Sequence, residues 1–72
     1  MKNIKDGDLL YDRQEKVLGM ILDVKNYLLT ANSSKRYKMI WLNELEPIWE
    51  WEEYIVIYRL DYLEHLRNNS SD

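Results

Sequence analysis

The 72-residue chain contains no cysteine, which removes thiol catalysis, thiolate metal sites and a disulfide scaffold together. It also has no phenylalanine, so any core must be assembled from aliphatic residues, tryptophan and tyrosine. Gly7 and Gly19 are the only glycines, and a glycine-rich phosphate loop cannot be drawn from them. His65 is the only histidine and has no cysteine or second histidine with which to share a metal. A hydrolytic triad would need a rigidly held serine, yet Ser33, Ser34, Ser70 and Ser71 fall in loop-like or terminal stretches. The richest apolar stretch is Tyr54 to Tyr58, against the roughly 20 residues a membrane helix requires. Two lysines stand near the N-terminus without an apolar run behind them, so no signal peptide is expected. These absences point away from an enzyme, a cofactor, a metal site and a membrane protein, and toward a soluble intracellular chain.

What is present suits one small folded domain. Hydrophobic residues make up 46% and charged residues 32%, too apolar a mixture for a disordered chain of low net charge. A chain this short buries only about 60% of its unfolded surface, so the core must be thin. The net charge of −3 is unevenly spread. Residues 1–43 hold eight Lys and Arg against five Asp and Glu, while residues 44–72 hold two against eight. If the halves form separate faces, the resulting dipole would steer a charged partner or a second copy of the chain.

Alternation of apolar and polar residues predicts strands. Gly7-Asp8-Leu9-Leu10-Tyr11-Asp12 reads as a turn opening a strand, followed by a second strand over Leu18-Gly19-Met20-Ile21-Leu22-Asp23-Val24. Leu18, Met20, Leu22 and Val24 share one parity, which marks them as the buried face. Turn-prone residues from Thr30 to Lys35 predict a loop, and Tyr37-Lys38-Met39-Ile40-Trp41 a further strand with Tyr37, Met39 and Trp41 on one side. Pro47 keeps its neighbours off a central ladder. Ile48 to Leu60 is rich in β-branched and aromatic residues, with a parity break at Glu52-Glu53 that predicts a bulge or hairpin turn. Leu60, Leu63 and Leu66 suit either a helical turn or a final edge strand, and a long helix is not expected.

These segments together resemble the small SH3-like barrel proteins encoded by tailed phages, especially marine ones. The resemblance runs from about residue 7 to about residue 66 and is carried by Gly7-Asp8-Leu9-Leu10, Leu18 to Val24, Tyr37 to Trp41 and Asp61-Tyr62-Leu63-Glu64. It implies a mostly β, SH3-like barrel of about five strands with a short C-terminal turn or helix. Residues 1–67 would form the domain and 68–72 a flexible polar tail. The expected core is Leu10, Leu18, Met20, Leu22, Val24, Met39, Trp41, Ile55, Ile57 and Leu63. The source it implies is a phage protein of the host cytoplasm or the virion, and the insert from Asn43 to Glu53 departs from the usual short turn.

Two constellations carry the functional expectation. Residues 44–53 pack five carboxylates and two tryptophans into ten positions. Tryptophan and tyrosine dominate binding hot spots, so Glu46, Trp49, Glu50, Trp51, Glu52, Glu53 and Tyr54 read as a surface for a basic, partly apolar protein partner. The chain is therefore expected to be a non-catalytic protein-binding module, acting on a host protein or in a viral assembly. The alternative places Lys16, Lys25, Lys35, Arg36 and Lys38 in a basic patch, with Tyr27 and Tyr37 as stacking partners for nucleic acid. The acidic second half opposes that alternative, because it would repel phosphates.

Overall fold

Antiparallel pairing of β1 (Leu9–Asp12) with β2 (Val17–Leu29) begins the fold in a computed structural model that describes residues 4–29 and 32–69. Side chains are described for residues 4–26 and 35–69. The turn between the two strands is held by Asp12, whose Oδ1 accepts the backbone N–H groups of Gln14 at 2.9 Å and Glu15 at 3.2 Å. A short acidic side chain closing its own turn in this way explains why the strand stops there. Gly7, at φ +87°, lets the preceding segment bend so that its N–H reaches Ile21 O at 2.8 Å.

β3 (Asn32–Trp41) and β4 (Ile48–Trp51) continue the antiparallel meander, and the sheet order is β1-β2-β3-β4. β4 then passes directly into α1 (Glu52–Asn69), an 18-residue helix. Its first turn holds Glu52 and Glu53 and its last turn Arg67, the arrangement that complements a helix dipole. The helix packs chiefly against β1 and reaches β3 and β4. Arg59 Nη1 donates to Leu9 O at 2.9 Å, tying the helix to the edge strand.

The protein is thus a small β-rich chain of mixed α/β architecture, an open four-stranded sheet with one long helix, and not a closed SH3-like barrel. The expected bulge at Glu52-Glu53 is the strand-to-helix junction. The β-branched run from Ile55 to Ile57 lies inside the helix, where tertiary packing overrides a modest difference in propensity. The helix runs through Asn68 and Asn69, which were expected in the tail; the rest of that tail lies outside the described residues. Strand pairing also extends through Leu29 and from Asn32, so the expected loop from Thr30 to Lys35 is mostly strand, with Thr30 and Ala31 outside the described residues.

The core lies between helix and sheet and consists of Ile4, Leu10, Ile21, Tyr37, Met39 and Ile55, with Val24, Trp41, Val56 and Tyr58 packed against it. Leu10, Met39 and Ile55 match the expectation, as do the partly buried Val24 and Trp41. Leu18 and Met20 instead lie on the uncovered side of β2, half-buried. Leu22, Ile57 and Leu63 are exposed. The reason on β2 is a register shift between Ile21 and Asp23. Gly19 and Ile21 face the helix, Leu22 is extruded by the bulge, and Val24 returns inward opposite Tyr37.

Past the Arg36–Trp51 pair, β2 and β3 run on alone as a two-stranded ribbon. That ribbon helps give the molecule its 47 × 29 × 20 Å extents.

Candidate functional site

Strand alternation in β4 sorts the acidic-aromatic run onto two faces. Ile48 pairs with Met39 and Glu50 with Tyr37, on the side covered by the helix. Trp49 pairs with Lys38 and Trp51 with Arg36, on the uncovered side. The β2–β3 register extends both rows. Lys25, Arg36 and Trp51 lie side by side across three strands, and Asp23, Lys38 and Trp49 form the next row. Directly opposed residues in such rows hold their Cβ atoms about 5 Å apart.

The cations use the indole rings. Lys25 Nζ lies 5.1 Å from the Trp49 ring centroid, and Arg36 Cζ lies 4.9 Å from that of Trp51. Contacts of this kind contribute about 0.5–1 kcal/mol at exposed sites, enough to orient both partners. Arg36 is otherwise poorly satisfied. Its Nη2 donates to Trp49 O at a long 3.4 Å, and its buried Nε has no acceptor. Trp51 is 37% exposed and Trp49 is half-buried. Beyond them the same face continues through the half-buried row Leu9, Met20 and Ile40. Asp23 is the carboxylate of these rows, and its Oδ1 accepts the Val24 N–H at 2.8 Å.

The two candidate sets are therefore rearranged. Trp49 and Trp51 are separated from Glu50 and join Lys25, Arg36 and Lys38. Glu52 and Glu53 open α1, Tyr54 is on the helix and 48% exposed, and Glu46 lies in the β3–β4 loop. Lys35 neighbours Arg36 and so projects from the other face of the ribbon. Lys16 lies in the β1–β2 turn, about 30 Å along β2 from Lys25 at the usual strand rise. Tyr37 is buried at 1% exposure and cannot stack on a base. The side chain of Tyr27 lies outside those described.

Two further features surround this face. The β3–β4 loop shapes an open cleft of about 680 Å³ lined by Trp41, Glu44, Leu45, Glu46, Pro47 and Ile48, with Leu45 97% exposed. Leu45 was missed in the sequence, although an isolated leucine between two glutamates ahead of Pro47 is a readable loop signal. On the opposite edge of the sheet, at β1, His65 stacks on Tyr11 at 4.1 Å, with Asn69 Nδ2 3.0 Å from its Nε2. Among the described residues no three histidine, aspartate or glutamate side chains are grouped to hold a metal. No helix is long and apolar enough to cross a membrane, among the described residues.

No protein-family model, curated protein or solved structure matches this chain. The functional reading rests on the geometry alone.

Glu52 also holds a structural role. Tyr37 donates its hydroxyl to Glu52 Oε2 at 2.9 Å. Burial, that hydrogen bond and the Glu52 charge push the Tyr37 phenol up from 10.0 to about 12. Burial foremost, then Glu50, Asp12 and Tyr54, raises Tyr58 as well. A phenol with a raised folded-state value stabilises the fold fully below its unfolded value and loses that contribution as pH rises through the folded one. Stability should therefore fall between pH 10.0 and about 12. Tyr37→Phe should flatten that decline, as read by urea titrations across the range. An equally steep decline in the variant would assign the alkaline loss elsewhere.

Proposed function

We propose that this protein is a non-catalytic binding module that takes up single-stranded nucleic acid on the uncovered face of its sheet. The observation that carries this reading is the convergence of Trp49 and Trp51 with Lys25, Arg36 and Lys38. Indole rings and guanidinium planes stack bases without demanding a sequence, and neighbouring cations pair with phosphates. The net charge of −3 does not oppose this locally. Glu50 faces the helix side, Glu44 and Glu46 lie in the β3–β4 loop, and Glu52 and Glu53 begin α1, so the tryptophan rows set Asp23 against Lys25, Arg36 and Lys38 and are net cationic.

Titrating tryptophan fluorescence with oligothymidylate at several salt concentrations tests the proposal. Three phosphate contacts predict a slope of about −2 in log affinity against log salt, at about 0.7 per contact for single strands. Trp51→Ala should weaken binding by about 1–3 kcal/mol, the range for loss of one stacking platform. Lys25→Gln with Lys38→Gln should flatten the slope to about −0.7. Absence of binding, or binding indifferent to salt, would contradict the reading.

A second reading is favoured by one observation, the 97% exposure of Leu45 between Glu44 and Glu46 beside the loop cleft. A basic, partly apolar segment of a protein would fit there.

A further inference from the structure

Among the described residues no strand packs on the outer face of α1, which carries apolar side chains between its charged ones. Ile57 is 54% exposed, Leu60 52% and Leu63 43%. The helix packs toward the sheet through the side that carries Ile55, and these side chains lie away from it. Helices apolar on every side are normally buried on every side.

The stripe has a charge order that names its occupant. At 100° per residue, Glu53, Ile57, Leu60, Glu64 and Arg67 fall within about 80° of one another, with Leu63 on the flank. Glu53 stands one end of this stripe, Arg67 the other, and Leu60 midway between them. We propose that this face binds a second copy of the chain, with the two α1 helices antiparallel and crossing near Leu60. A two-fold axis there sets Glu53 of one copy near Arg67 of the other and packs Ile57 toward Leu63. A parallel pair would instead stack Glu53 on Glu53 and Arg67 on Arg67, bringing like charges together. Antiparallel pairing also opposes the two helix dipoles. The tryptophan face lies on the opposite side of the sheet from the helix. The dimer therefore leaves both copies of it uncovered, and this inference stands whether or not nucleic acid is the ligand.

Sedimentation velocity on the full chain over a concentration series tests the pairing. The parent should pass from monomer to dimer as concentration rises. Leu60→Glu should raise the dissociation constant at least about tenfold with an unchanged circular dichroism spectrum, because it places two carboxylates at the axis. Ile57→Lys serves the same purpose if Leu60→Glu disturbs the fold. Glu53→Lys alone should weaken the dimer, and Glu53→Lys with Arg67→Glu should restore it. A parent that stays monomeric throughout overturns the proposal. So does a dimer untouched by folded Leu60→Glu and Ile57→Lys variants, and failure of the double charge swap to restore association overturns the antiparallel orientation.

Discussion

Leu10→Ala is expected to leave the chain close to its unfolding midpoint at 25 °C. Leu10 is fully buried on β1, the strand that carries most of the helix contact. Replacing a buried leucine by alanine removes its transfer free energy and leaves a cavity, at a total of about 2–5 kcal/mol. Domains of this size rarely possess more than about 3–5 kcal/mol of stability. The loss should be near the upper end, because among the described residues the core has only five fully enclosed side chains and little material to collapse into the gap. Urea denaturation followed by circular dichroism reads it. A variant melting within a few degrees of the parent would mean that the helix does not rest on β1 as described.

The second large effect concerns Trp41 and the glycine opposite it. Gly19 is the register partner of Trp41 in the middle of the sheet. A Cβ built on Gly19 would lie 2.8 Å from Trp41 Cε3, 3.0 Å from Met39 Cε and 3.1 Å from Ile40 O. The indole therefore occupies the space a β2 side chain would fill, and it also meets Tyr58 edge-on at 4.9 Å. Trp41→Ala should cost about 3 kcal/mol, the lower end of the range for a large aromatic, since the ring is only half-buried. Gly19→Ala alone should cost about 1–3 kcal/mol by overpacking. In the Trp41→Ala background, the same alanine fills vacated space and should cost little or stabilise. The double-mutant cycle should thus give a coupling above about 1 kcal/mol, and additivity within about 0.5 kcal/mol would contradict the close approach.

Gly19 also explains why part of the fold was hard to read. The inward-facing row of β2 includes Gly19, which has no side chain, so Leu18, Met20 and Leu22 advertised the wrong face. The bulge at Leu22 then brought Val24 inward on what looked like the same parity. On β3 no such device intervenes, and the shared face of Tyr37, Met39 and Trp41 was legible from alternation alone. The helix was masked for a different reason. Its apolar residues surround the axis, so the 3.6-residue period never stands out, and the alternation of Tyr54, Val56 and Tyr58 imitates a strand. Ile57, Leu60 and Leu63, which fill out that apolar ring on the exposed side, are those assigned above to self-association.

The candidate site was half legible. That Trp49 and Trp51 share a face separate from Glu50 follows from strand alternation. That the face also holds Lys25, Arg36 and Lys38 depends on two inter-strand registers, one of them shifted by a bulge, and no local pattern encodes those.

The most direct test of the central claim is a residue-by-residue map of the ligand footprint. Amide chemical shifts would be recorded by two-dimensional NMR while oligothymidylate is added to the full chain at low salt. Shifts should concentrate at Lys25, Arg36, Lys38 and Trp49 to Trp51, with both indole N–H signals moving and α1 from Ile57 to Leu66 still. A footprint on the Asn43 to Ile48 loop, on the helix, or nowhere would contradict the assignment of the tryptophan face as the binding surface.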